Sequence, residues 1–145
     1  MTPLPIRWKR LVKEGETCPR CGSTQQNVVG AVAKLEAALR PLGIEPVLET
    51  QAIDEAVFQA DPSESNRIWI AGKPLEEWLG ARVGASKCCT VCGDLPCRTM
   101  ELDGSSHEVI PEDLIIRAAM MAASGLIGAD PTAANPSACG STACG

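Results

Sequence analysis

The residues best suited to chemistry are eight cysteines, and they fall into three groups. Cys18 and Cys21 lie in Thr17-Cys18-Pro19-Arg20-Cys21-Gly22. Cys88, Cys89, Cys92 and Cys97 place four thiols in ten residues. Cys139 and Cys144 each sit in an Ala-Cys-Gly step. A deprotonated thiol is both a nucleophile and a ligand for soft metals, so these groups point to thiol redox chemistry or to metal binding.

A Cys-x-x-Cys at a helix start has a physical rationale. The first backbone N–H groups of a helix lack partners, and with the helix dipole they favour a thiolate. Pro19 preorganises the first turn and Arg20 adds positive charge. Cys18, at the cap position, is expected to be the more exposed and more acidic thiol. Cys21, one turn in, is expected to resolve the mixed disulfide. The same residues allow a second reading. Cys-Pro-Arg-Cys-Gly is also a zinc-ribbon half, and Cys89-Thr90-Val91-Cys92-Gly93 has the form of the other half. The separation of these halves far exceeds the roughly 15–20 residues common in such sites.

Cys88, Cys89, Cys92 and Cys97 are too dense for ordinary core packing, since free cysteines usually pack singly. Four thiolates could close a zinc site, hold an iron–sulfur cluster, or trap Hg(II), As(III) or Cu(I). The spacing matches neither common ferredoxin pattern. A relay disulfide from Cys18 or Cys21 to this group is open if the fold brings them together. Cys139 and Cys144 could deliver metal or electrons to a folded site, or belong to a low-complexity tail without a role. His107 is the one histidine, and is expected to be an ordinary surface or core residue. With no second histidine, a Cys–His hydrolase is poorly supported.

The elements that must position these thiols follow from periodicity. Ile6, Trp8, Arg10 and Val12 alternate with Arg7, Lys9 and Leu11, giving a strand over about residues 4–12. Glu14-Gly15-Glu16 reads as a turn. Val28, Val32, Leu35 and Leu39 recur at helical spacing, with Val29 and Ala38 widening the stripe. That helix begins at Thr24 or as early as Pro19, and Pro41 and Gly43 stop it. Ile44 to Gln51 is a second strand, placed at a sheet edge by Pro46. Residues 53–60 form a short helix or loop. Arg67 to Ala71 is a third strand, closed by Gly72. Pro74 to Leu79 gives one or two helical turns, with Glu76 and Glu77 on a wet outer face. Residues 84–97 read as irregular. Arg98 to Leu102 and His107 to Ile110 flank an Asp103-Gly104 hairpin turn. Pro111-Glu112-Asp113 opens a last helix whose buried stripe is Leu114, Ile115, Ala118, Met121 and Ala122. The methionines read as core filling, and Gly125 and Gly128 end the helix.

A helix joining the first two strands implies a parallel pair. The expected fold is therefore α/β and thioredoxin-like: a central mixed sheet of about four strands, flanking helices and a cysteine-rich insert. The expected domain covers residues 1–127, with the insert at 84–98 and a flexible tail at 128–145.

Composition narrows the function. The 145-residue chain is 45% hydrophobic but only 3% aromatic, so its core must be aliphatic. A net charge of −5 argues against nucleic acid held by phosphate contacts. The basic run Arg7, Lys9, Arg10 and Lys13 reads as a solvated strand face. No signal peptide is visible, and the apolar stretch Leu114–Ala129 is too short to span a bilayer. A cytoplasmic location is expected, with no membrane insertion. There, clustered cysteines suit catalysis, redox or metal binding better than structural disulfides.

Three stretches carry a resemblance to a thioredoxin-like family classed as a domain of unknown function, number 2703. They are Glu16 to Gly22, Glu64 to Gly80 and Cys88 to Thr99, within a match over about residues 4–123. The resemblance implies a thioredoxin-like fold and no established activity. Thioredoxins carry a cis-proline just before their third core strand, facing the dithiol, and it helps keep metals off. Glu64-Ser65-Asn66 stands at that place here, and Pro62 comes too early. The departure weighs toward metal binding at Cys18 and Cys21.

The expected function is a cytoplasmic dithiol protein handling thiol redox or soft ions (Hg, As, Cu) through Cys18, Cys21 and the second thiol cluster. Its partners are metal ions or redox proteins. The alternative is a non-enzymatic zinc or iron–sulfur protein with its site in the Cys88–Cys97 insert. A third class is an interaction module that uses the exposed edge strand.

Overall fold

The computed structural model describes residues 1–13, 16–17, 19–61, 64–86 and 97–127. Strand β1 (Thr2–Lys13) is the centre of a mixed sheet. It pairs in parallel with β3 (Ile44–Ile53) and antiparallel with β4 (Arg67–Ile70) and with the two-residue β2 (Glu16–Thr17). β5 (Lys73–Pro74) pairs outside β4, so the sheet runs β3–β1–β4–β5. Ten aligned pairs, from Thr2↔Ile44 to Leu11↔Ile53, fix the parallel register. Among the described residues Pro46 lies on a strand paired only with β1, as its missing N–H requires.

Leu4, Ile6 and Trp8 turn to one face and are fully buried. Beyond Trp8 the alternation changes phase. Leu11 and its parallel partner Ile53 are buried from the opposite face, where α2 (Glu55–Ala60) contacts β1 and buries Phe58. The sequence pattern put Leu11 with the polar residues because it assumed one apolar face. α2 starts cleanly: Asp54 Oδ1 accepts from Val57 N at 2.9 Å, a side-chain N-cap. Elsewhere that face stays wet, with Arg7 and Glu49 paired at 3.5 Å and both more than half exposed.

Helix α1 (Pro19–Leu39) carries the chain from β2 to the start of β3. A short 3₁₀ turn, Arg40–Leu42, ends on left-handed Gly43. Its buried stripe is Cys21, Thr24, Val28, Ala31, Leu35 and Leu39, with Val32 half-buried. Val29 and Ala38, expected to widen that stripe, are exposed. The true stripe broadens instead through the small residues Thr24 and Ala31.

Helix α4 (Glu112–Ile127) contacts α1, β1 and β4. Its buried residues are Leu114, Ile115, Ala118, Ala119, Ala122 and Ala123. Met121, expected in that stripe, is 46% exposed, and Met120 is 40% exposed. Alanines lead the face because the helix must sit close to its neighbours, which leaves no room for methionine. Gly30 marks the same crowding: a Cβ there would lie 2.7 Å from Glu112 Oε2. Lys34 pairs with Glu112 across the two helices. The helix runs through Gly125 rather than ending there.

β4 stops at Ile70 because Ala71 and Gly72 both take positive φ, 53° and 78°, as a two-residue hairpin turn to β5 demands. α3 (Leu75–Leu79) follows and is tied back by Trp78 Nε1 donating to Ile70 O at 2.8 Å. Glu76 overturns the expectation of a wet helix face. It is 4% exposed and paired with Arg98, itself 4% exposed. Glu77 is exposed, as expected.

Arg98 lies on β7 (Cys97–Leu102), the centre of a separate antiparallel sheet with β6 (Arg82–Ser86) and β8 (Ser105–His107). Asp103 and Gly104 make the β7–β8 turn with φ of 52° and 80°. The second arm begins at Ser105, two residues earlier than its apolar pattern suggested. Residues 84–86 and 97, expected to be irregular, are paired strand ends. Gly84 hid this from the sequence, and it is needed: a Cβ there would lie 2.6 Å from Thr99 Oγ1 and Glu101 Oε1. The rest of the insert and the 128–145 tail lie outside the described residues.

The buried Glu76–Arg98 pair should dominate the attachment of this sheet. Glu76→Ala takes the carboxylate counter-charge from the buried Arg98 guanidinium and is expected to cost about 3–5 kcal/mol in urea unfolding. Replacing both residues by methionine should recover most of that loss.

Candidate functional site

The site is built at the end of the sheet where β1 stops, β4 starts and α1 begins. Pro19 is the first residue of α1, so the residue after Cys18 is already helical. Cys21 is 1% exposed and belongs to the main core cluster with Leu11 and Val28. Cys18 itself lies outside the described residues, as do Cys88, Cys89, Cys92, Cys139 and Cys144. Cys97 is described as the first residue of β7, in register opposite Ser86.

Around Cys21 runs a polar lacing that cysteine spacing could not reveal. Thr24, one turn after Cys21, is fully buried, and its Oγ1 accepts from Ile110 N at 3.2 Å. Asn27 Nδ2 donates to Ile110 O at 2.8 Å. Both backbone groups of Ile110 are thus satisfied by α1 side chains, which holds the segment before α4 against the thiol-bearing end of α1. Asn66, 1% exposed with φ of 52°, bridges from the other side. Its Nδ2 donates to Glu108 O at 3.2 Å, and Trp8 Nε1 donates to its Oδ1 at 3.4 Å. Glu108 in turn accepts from Ser86 Oγ at 3.0 Å. Segment 108–110 therefore touches α1, the start of β4 and the end of β6.

Asn66 was legible only in part. Asparagine before a β-branched run can hold a left-handed turn, but its two buried bonds depend on Trp8 and Glu108, far away in sequence. Thr24 had a fainter signal: it follows Cys21 by three residues and so shares its helix face.

Charge flanks this end of the sheet. Glu64 accepts from Lys9 at 2.8 Å and from Arg67 at 2.6 Å. The Lys9 hydrogen bond lowers the Glu64 pKa, and partial burial opposes it less strongly than the two cations together support it. Lys9 and Arg67 also lie over the Trp69 ring, at 4.8 and 4.5 Å from its centre. The basic run is thus solvated at Arg7 but built into the structure at Lys9. His107 is half-buried on β8, opposite Met100. Among the described residues, no group of three or more His, Cys, Asp or Glu side chains gathers as metal ligands. None of their helices is long and apolar enough to cross a membrane.

The chain belongs to the family described as Domain of unknown function (DUF2703), whose family model matches residues 4–119. It is 45% identical over 112 residues to a protein of Archaeoglobus fulgidus named "Uncharacterized protein", covering 77% of this chain and 82% of that relative. No solved structure matches it.

Two outcomes follow from the geometry. Thr24→Val removes the acceptor of a buried N–H, so it should cost about 1–3 kcal/mol and speed alkylation of Cys21 in native protein, read by mass spectrometry. Glu64 should act on acid stability in a defined direction. Because its native pKa is depressed, its contribution is complete above the ordinary glutamate value of about 4.3 and is lost as pH falls through the lower native value. Urea midpoints measured down that range should fall more steeply for wild type than for Glu64→Gln.

Proposed function

We propose that this member of the family is a thioredoxin-like dithiol protein, working in a reducing compartment such as the cytoplasm, that handles thiol redox or thiophilic ions through Cys18 and Cys21. The observation that carries this reading is the position of Cys21: buried, in the first turn of a 21-residue helix that opens at Pro19. Cys21 is thereby sealed in the core. An attacking thiol needs access, whereas a resolving thiol needs only its neighbour. The sheet supports the same reading. A thioredoxin-like core places its second strand at a sheet edge, and β3 is such a strand. The parallel β1–β3 pair spans α1, and antiparallel β4 and β5 follow.

The chemistry is a two-electron exchange with a disulfide-bonded partner. The Cys18 thiolate attacks one partner sulfur, and the other leaves as a thiolate that takes a proton from solvent. Cys21, losing its proton to solvent, then attacks Sγ of Cys18 and expels the second partner thiolate. The partner gains two electrons and the protein ends with a Cys18–Cys21 disulfide. Asn66 stands where thioredoxins place their proline. It offers a side chain already committed to Trp8 and Glu108.

The test is the pH dependence of alkylation together with redox titration against glutathione. Cys18 should titrate below the roughly 8.5 of free cysteine, react far faster than Cys21, and form a reversible disulfide with it. A Cys18 value at or above that of free cysteine, with no redox cycling of the pair, would sink the redox reading.

A further inference from the structure

Among the described residues β3 pairs with β1 alone, which leaves a second ladder along its outer edge. Thr2 N donates to Gly43 O at 2.8 Å. With Thr2 in register with Ile44, that bond sets the phase of the parallel pair. Glu45, Val47, Glu49 and Gln51 turn their backbone groups to β1, and Ile44, Pro46, Leu48, Thr50 and Ala52 turn theirs outward. The outer edge therefore offers N–H and C=O groups at Leu48, Thr50 and Ala52, and is interrupted at Pro46, which has no N–H to give. Thr50, Gln51 and Ala52 are exposed, and Val47 is 39% exposed.

We propose that this edge pairs with the same edge of a second copy, antiparallel about a two-fold axis at Thr50. Leu48 then faces Ala52 of the second copy, Thr50 faces its counterpart, and Ala52 faces Leu48. Each of these pairs exchanges two backbone bonds. The side chains agree with that register. Glu49 lies opposite Gln51, whose amide can donate to its carboxylate, and Arg7 at 3.5 Å from Glu49 Oε2 balances the charge. Thr50 against Thr50 is a favourable cross-strand pair, and exposed Val47 gains an apolar neighbour in Ile53. Other two-fold registers are opposed. An axis at Val47 sets Glu45 against Glu49, and one at Glu49 sets that carboxylate against its own copy. An axis at Leu48 brings Pro46 into the ladder opposite Thr50, and one at Gln51 sets Glu49 against apolar Ile53. The strand is thus complementary to itself in one register, and this singles out a second copy as the occupant. The pairing joins two β3–β1–β4–β5 sheets into one and closes an edge that would otherwise invite aggregation. It goes beyond the dithiol reading and does not depend on it.

The full chain is kept reduced, so that no disulfide joins two copies, and its mass is followed by sedimentation equilibrium over a range of concentration. A reversible dimer is expected. Gln51→Glu puts like charges at both symmetry-related contacts with Glu49 and should weaken the dimer by about 2–30-fold, whereas Gln51→Lys should tighten it by a similar factor. Thr50→Pro removes an outward N–H that β1 does not use and should leave a folded monomer; the two Gln51 variants decide the matter where that variant fails to fold. Amide hydrogen exchange gives a second readout. The N–H groups of Leu48, Thr50 and Ala52 should become protected as concentration rises, while those of Val47, Glu49 and Gln51 are protected throughout. Wild type that stays monomeric at the highest concentration reached overturns the proposal, as does a dimer indifferent to both Gln51 variants. Protection of the outward amides at every concentration would show another occupant on the edge and overturns it as well. The Cys18 titration decides the dithiol reading separately from all of these results.

Discussion

The arrangement depends on the need to satisfy the buried backbone of Ile110. Its N–H and C=O cannot reach water, and neither β8 nor α4 completes them. Thr24 and Asn27 do so from α1. An unmet buried polar group costs about 1–3 kcal/mol, so these two side chains set where the segment before α4 must lie. Once it lies there, α4 starts beside Gly30 and Lys34, and Glu112 meets both. Glu108 is carried to Asn66 and Ser86 by the same placement. The start of α1, the start of α4, the start of β4 and the end of β6 are thus located by one short strap.

The second sheet is attached by a different kind of force. Glu76 and Arg98 meet almost without solvent. Removing two charges from water costs several kcal/mol, and their attraction does little more than return it. Such a pair is a poor source of net stability but selects the arrangement, because a register that separates the charges parts each from its opposite. β7 can therefore dock on α3 in one way. Its first residue is Cys97, so the pair fixes the place at which the cysteine-rich segment rejoins the fold.

The main sheet was readable from local pattern. The 3.6-residue apolar stripe of α1, the short β-branched run of β4 and the Pro46 edge signal are properties of neighbouring residues, and each matched the structure. The Asp103-Gly104 turn was legible for the same reason. The errors share a cause: a residue's environment was inferred from its own element when a distant partner decides it. Glu76 sits next to exposed Glu77, and only Arg98 makes it a core residue. Met121 lost its place to Ala119 and Ala123 because the space beside α4 is set by the elements it packs against. β6 was missed because Gly84 and Ala85 carry weak strand preference; the pairing with β7 outweighs it. At the site, the motif residues stood out as cysteines, whereas Thr24, Asn27 and Asn66 matter only through partners at long sequence range.

Redox exchange and ion binding make the same first demand on this site, a stabilised thiolate, and the start of α1 can help meet it in both cases. They part over the second thiol. A resolving thiol may stay protonated and sealed until its neighbour becomes electrophilic, so burial at the Cys21 position costs it little. A permanent thiolate there would be a buried charge, which a low-dielectric core tolerates only beside a counter-charge. Thr24 and Val28 follow Cys21 along the same buried face of α1. The start of α1 supplies positive potential for such a charge.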